Sequence, residues 1–235
     1  MGVEEPAPDT SVASLFGPDA ALDRMSFRNV SGFDLLPSSS TLTKRMRDLN
    51  KPTDVLWVRE ALQNTELDYD LVLFDTAAAV TVYSLNALVA SEHALIPVLP
   101  EYQAIVGAEQ TFQTTELVRK KLNPRLRSRT FLLTQVDARK RMHRTYQQYL
   151  REKYTDRVLD NIIRTSTALA ESREGGTTVF DHDSSARGAR DYANATDELL
   201  NRLQAIESSE TAEPRAQDET IGAEDVALPD EALDA

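Results

Sequence analysis

Asp75 stands at the end of an apolar run, Leu71-Val72-Leu73-Phe74, and is followed by Thr76. A short continuous apolar run is the pattern of a strand buried on both faces, so this acid is expected at the rim of a sheet. An acid in that place can hold the water shell of a Mg²⁺ ion bound to nucleotide phosphates. The other half of such chemistry is a cradle: consecutive backbone N–H groups at a helix N-terminus, a lysine to neutralise the phosphates and a hydroxyl for the metal. The eight glycines lie at 2, 17, 32, 107, 175, 176, 188 and 222, and none is followed by lysine. No G-x-x-x-x-G-K-[ST] stretch is therefore present in these 235 residues.

Composition narrows the remaining chemistry. The chain has no cysteine, which removes thiolate metal sites, disulfides and cysteine nucleophiles. His93, His143 and His182 have no ligand spacing and read as surface residues. No run of eighteen apolar residues is present, so no membrane span is expected. The N-terminus is acidic without an apolar core and does not read as a secretory leader. The net charge of −12 is unevenly placed. Residues 207–235 carry ten acids and one base, whereas Arg119 to Arg157 carry thirteen bases and three acids, a net of +10 in 39 residues. A basic sector of this density is expected to meet phosphate or to cover helix faces; the acidic end, poor in aromatics, is expected to be disordered.

The elements that would position these groups alternate. Val12–Leu22 is expected as a short helix with a turn at Gly17-Pro18, and Phe33–Leu36 as a short strand ending at Pro37. Thr53–Thr65 reads as a helix with an apolar face at Val55, Leu56, Val58 and Leu62 and Thr53 as its cap. Leu71–Phe74 reads as a buried strand, Tyr83–Ala90 as a crossover helix and Ala94–Leu99 as the next buried strand. Tyr102–Leu122 is a long helix ending in Arg119-Lys120-Lys121, cations suited to the negative end of its dipole, and Asn123-Pro124 stops it. Thr130–Thr134 is a strand, Arg141–Lys153 a basic helix, Val158–Ile163 a short apolar run and Ala186–Ile206 an amphipathic helix. Strands alternating with helices give an α/β class with a mainly parallel sheet and helices on both faces.

These landmarks, in this order, resemble the ParA family of DNA-segregation ATPases, in the MinD-like group of P-loop proteins with a deviant phosphate loop. The resemblance rests on Gly32-Phe33-Asp34-Leu35-Leu36-Pro37-Ser38, Tyr69 to Thr76, Ser84 to Ala90 and Ile96-Pro97-Val98-Leu99-Pro100-Glu101-Tyr102. It continues through Leu117 to Pro124, Leu132-Leu133-Thr134, Leu169-Ala170-Glu171, and Ser185, Arg187, Gly188 and Ala189. It covers roughly residues 12–203, and its strength lies in order and spacing rather than in any one motif.

The resemblance implies a P-loop NTPase-like fold that is incomplete at the N-terminus. A ParA-like domain over 1–206 would lack the phosphate-loop strand and helix, and 207–235 would be the acidic tail. It implies ATP and Mg²⁺ as cofactors, with Asp75 holding the metal through water and Thr76 and Gln135 near the nucleotide; no catalytic residue is assigned. It implies nonspecific, salt-sensitive DNA binding, for which Arg139, Lys140, Arg141, Arg144 and Arg187 are the candidates. A ParB-like partner, a dimer of the chain with itself or with a full-length relative, and a cytoplasmic, nucleoid-associated location follow from the same likeness. The departures are Ala77-Ala78, where the family has Pro-Pro, and Arg164, where it tends to have proline near the adenine. In the family the phosphate-loop strand lies between the strands matching Leu71–Phe74 and Ala94–Leu99, so here those runs are expected to pair with each other or to expose edges. Two readings stay open: a partition ATPase by descent that does not hydrolyse ATP alone, and a non-catalytic DNA- or partner-binding remnant that pairs with a full-length relative.

Overall fold

The computed structural model describes residues 5–211 except 18, 19, 21 and 50. The described residues divide into two compact units: the stretch up to Ser91 with Leu117–Arg125, and Glu92–Glu116 with 126–211.

In the first unit, β1 (Arg28–Val30) and β2 (Phe33–Leu35) form an antiparallel hairpin. Its two turn residues, Ser31 and Gly32, have φ of 47° and 89°. Two positive φ values suit the right-handed twist of a two-residue hairpin, and glycine takes the second without steric cost. Helices α1 (Thr41–Arg45), α2 (Trp57–Gln63) and α3 (Val82–Ala90) follow. Helix α3 opens with a reciprocal cap: the Thr81 N–H donates to Ser84 Oγ at 2.8 Å, and the Ser84 N–H donates to Thr81 Oγ1 at 3.3 Å. Buried Asn86 ties α3 to α2. Its amide donates to the Asp54 carbonyl at 2.7 Å, and its oxygen accepts from the Val58 N–H at 3.1 Å. Leu15, Phe16, Leu22, Val58 and Ala61 form the core of this unit.

Three expectations change here. The helix placed over Thr53–Thr65 begins as a 3₁₀ turn, Pro52–Val55. Asp54 rather than Thr53 fixes that turn, by accepting the Lys51 N–H at 2.8 Å. The helix placed over Val12–Leu22 is reduced to the 3₁₀ turns Val12–Leu15 and Leu22–Arg24. The largest change is at Leu71–Phe74, which is neither a strand nor buried. Leu71, Val72 and Leu73 are 62%, 45% and 84% exposed. Only Phe74 reaches the unit's core. A strand is held by hydrogen bonds to a neighbour, and no strand lies beside this run in the described part of its unit.

The second unit holds β3 (His93–Val98), α4 (Tyr102–Lys121, assigned here through Glu116), β4 (Ser128–Leu133) and α5 (Arg141–Tyr154). It continues with α6 (Thr167–Glu174), α7 (Val179–Asp183) and α8 (Arg187–Thr211). β3 and β4 pair in parallel from His93–Ser128 to Val98–Leu133. Single bridges, Phe131 to Val158 and Val136 to Arg164, extend the sheet past β4. Side chains of β4 alternate between two cores. Phe131 and Leu133 join Ile96, Ile105 and Leu150, from β3, α4 and α5. Leu132 faces Leu159, Ile163 and Ala195, the last on α8. This is the expected α/β arrangement, with a parallel sheet and helices on both faces. Among the described residues β3 has β4 as its only strand partner, and Leu95 is 39% exposed.

Polar clamps fix the helices. The Glu109 carboxylate on α4 accepts from Lys153 Nζ at 2.7 Å, Tyr149 Oη at 2.9 Å and Tyr154 Oη at 3.2 Å, all on α5. Burial pushes this carboxyl up, but those donors outweigh it and hold it below its ordinary range. Gly188 lets α8 approach α6 closely, because a Cβ there would meet Leu169 Cγ at 2.7 Å. Helix α8 continues through Thr211, past the point where the acidic tail was expected to begin. The remainder of that tail, 212–235, lies outside the described residues.

Candidate functional site

Asp75 and Thr76 belong to the first unit and lie exposed in an irregular segment. Among the described residues no three or more His, Asp or Glu side chains gather to hold a metal. Asp75 supplies one carboxylate, and Mg²⁺ at a nucleotide would take its other oxygens from water and from phosphates, for which the 235 residues contain no G-x-x-x-x-G-K-[ST] cradle. Among the described residues, then, Asp75 is not joined by the other groups that a nucleotide–Mg²⁺ site uses.

The second unit gathers its polar groups at the carboxyl end of β3 and β4, the place where open α/β sheets take ligands. The Thr134 N–H closes the ladder on the Val98 carbonyl at 2.9 Å. Gln135 then turns with φ of 51°, an uncommon conformation for a residue with a Cβ. Its carbonyl accepts from Thr165 Oγ1 at 3.2 Å, and the Thr165 carbonyl accepts from Arg187 Nη2 at 2.8 Å. Gln135 and Arg187 are thus brought together through Thr165. Beside them Asp191, 5% exposed, accepts the Arg164 N–H at 2.9 Å and Arg164 Nε at 3.0 Å. Burial alone would raise the Asp191 carboxyl; the Arg164 side chain and N–H reverse this and hold it below the usual range.

The turn 137–140 follows. The Asp137 carboxylate accepts from the Arg139 N–H, Nε and Nη2 at 3.0, 3.0 and 2.9 Å. The Arg139 side chain is the main cause that holds this carboxyl well below the usual range, and the same pairing raises Arg139. Lys140 Nζ lies 3.6 Å from Glu101 Oε1, and Arg144 Nη1 donates to the Ala138 carbonyl at 2.8 Å. His143, expected at the surface, is 3% exposed beneath this turn. His93 is only half-buried. A ring on the first turn of an otherwise polar helix gives no periodic signal of burial.

The basic sector looks different in three dimensions. Arg119, Lys120, Lys121 and Arg125 belong to the first unit and the other nine cations to the second. Of those nine, seven face carboxylates, mostly from outside the sector. Arg127 meets Glu92, Arg129 and Arg157 meet Glu116, and Arg139 meets Asp137. Lys140 meets Glu101, Arg151 meets Asp160 and Lys153 meets Glu109. Arg141 and Arg144 have no carboxylate within ion-pair distance among the described residues. Arg141, Arg144 and Arg187 therefore keep the least compensated charge of the candidate DNA contacts. Glu101, Asp137, Thr165 and Asp191 were missed as site residues. A charge count along the chain cannot show acids that fold back onto it.

The family described as AAA domain matches residues 1–128. The chain is 35% identical over 175 residues to the chromosome-partitioning ATPase Soj of Thermus thermophilus, covering 74% of this chain and 69% of that protein. It is 29% identical over 202 residues to the sporulation initiation inhibitor protein Soj of Bacillus subtilis, covering 85% and 79%. A plasmid partition protein of Borrelia burgdorferi bound to AMPPNP superposes with a TM-score of 0.67 at 22% identity, over 83% of this chain and 75% of that one. The cell division ATPase MinD of Pyrococcus furiosus gives 0.63 at 14% identity, over 83% and 77%. With the ordered motifs and the parallel sheet, these likenesses place the chain in the ParA family of partition ATPases.

Proposed function

We propose that this chain serves plasmid or chromosome partitioning as a ParA-like subunit that binds DNA without sequence preference and does not hydrolyse ATP by itself. The observation that carries the reading is the contrast within the site residues. Asp75 stands alone in an irregular segment without a phosphate loop in the sequence, whereas a turn rich in cations is rigidly set at the end of β4. By family likeness the subunit works as a dimer in the cytoplasm, on the nucleoid, with a ParB-like partner. ATP and Mg²⁺ are the cofactors that the family likeness implies. Arg141, Arg144 and Arg187 are the principal phosphate contacts; Arg139 and Lys140 join once their carboxylates give way.

Two measurements test this. ATP turnover with Mg²⁺ is expected to equal a metal-free control, and turnover above that control that is abolished by Asp75→Ala contradicts the reading. DNA retention is expected to fall steeply with salt. Arg141→Glu with Arg144→Glu should lower affinity for all sequences and flatten the plot of log affinity against log salt by about 2. Unchanged retention removes the DNA assignment.

The exposed run Leu71–Leu73 favours a second reading, a non-catalytic subunit that pairs with a full-length relative. Unpaired apolar backbone is suited to take a strand from another chain. Sedimentation of this chain mixed with a ParA-type protein that has a phosphate loop should show a mixed species, absent when Leu73 is replaced by Asp. Independent sedimentation of the two contradicts it.

A further inference from the structure

His143 occupies a place that neither the family likeness nor the DNA reading uses. Its ring is buried under the turn 137–140, on the first turn of α5. Nδ1 accepts the Asp137 N–H at 3.1 Å. That bond requires an unprotonated Nδ1, so the proton of the neutral ring sits on Nε2. Nε2 has no hydrogen-bond partner; Glu101 Oε1 is 3.5 Å away, too far for a good bond to a neutral ring. The same oxygen lies 3.6 Å from Lys140 Nζ. The charged groups around the ring are thus Glu101 from the turn after β3, and Asp137, Arg139 and Lys140 from the turn after β4. Arg141 and Arg144 share its helix.

We propose that His143 is an acid-sensitive latch on the turn 137–140, holding Asp137 while neutral and freeing Lys140 for phosphate when protonated. The second half rests on the DNA reading above. A proton on Nδ1 removes the acceptor and sets two N–H groups against each other, so the Asp137 N–H loses its hold. The imidazolium also turns Nε2–H into a charged donor facing Glu101. A charge-assisted bond there is shorter and stronger than the neutral contact, so Glu101 moves toward the ring and away from Lys140. The proton comes from solvent and no other bond changes. The site gains one positive charge and one released cation.

The test uses the whole chain at about pH 8 and about pH 5.5. His143→Asn keeps an acceptor near the place of Nδ1 but cannot titrate. In the wild type, the Asp137 amide resonance should move with pH, and the salt slope of DNA binding should steepen by about 0.9 on acidification, one added phosphate contact. Both responses should vanish in His143→Asn. Glu101→Gln changes an exposed side chain and leaves the Nδ1 bond intact. It should show the steep slope at both pH values, because Lys140 has lost its partner. An Asp137 amide that responds equally in the wild type and His143→Asn overturns the latch. A shallow slope for Glu101→Gln at pH 8 overturns the release of Lys140. An amide response confined to the wild type, with constant slopes in every variant, supports the latch and refutes the DNA assignment of Lys140.

Discussion

Two apolar runs of similar composition, Leu71–Phe74 and Ala94–Val98, have opposite fates. The second lies in β3, paired residue by residue with β4, with Ile96 and Val98 in a dense core. The first projects three of its four side chains into solvent and anchors only through Phe74. Local propensity is the same; what differs is a neighbour. A strand's backbone groups need a partner chain before burial of its side chains becomes favourable. The unit with the parallel strand pair also clamps the carboxylates of Glu109, Asp191 and Glu198, while among the described residues Asp75 in the other unit meets no carboxylate cluster or ladder.

The comparison sharpens first at the cores. Phe131→Ala, which removes a fully buried ring packed on Phe112 and Tyr154, should cost about 3–5 kcal/mol in denaturant unfolding. Leu73→Ala should stay within about 0.5 kcal/mol. Comparable losses would mean that the 71–74 run is packed after all.

The next effect is at the clamps of the second unit. Asp191→Asn should destabilise by about 1–3 kcal/mol, since Arg164 loses a charge-assisted, partly buried partner. It should also change the acid limb. The folded carboxyl lies below its unfolded value, so its stabilisation is present above the unfolded range near pH 4 and is lost as pH falls through the folded one. Glu109 and Glu198 act in the same direction, Glu198 because the Asn161 and Asp160 N–H groups outweigh its burial. Stability should therefore decline below about pH 4, less steeply in Asp191→Asn. Identical acid slopes would show that Asp191 is not part of this linkage. Gly188→Ala is smaller, about 1–2 kcal/mol, because Leu169 must shift from α8.

Much of the second unit was legible from sequence. β3, α4, β4, α5 and α8 stand within a few residues of their expected bounds, because each carries its own period or its own stop signal, such as Asn123-Pro124. Helices α6 and α7 were not read; they are short, and their apolar residues are few and irregularly spaced. The site was legible only as a list. The sequence pointed to Gln135, Arg187 and the 139–144 cations, but not to Thr165, which joins two of them, nor to Glu101 and Asp137, which hold two others. Nothing local in Met142-His143-Arg144 announces a buried ring, and the positive φ of Gln135 is imposed by the end of the ladder.

Amide hydrogen exchange in the parallel sheet and over the Leu71–Phe74 run tests the central contrast most directly. The amides of Thr134, Leu159 and Ile163, which donate to the Val98, Phe131 and Leu133 carbonyls, should be protected by at least about a thousandfold, whereas those of Val72 to Asp75 should exchange at nearly free rates. Equal protection in the two segments would contradict the account, because it would mean that the strand before Asp75 has found a partner.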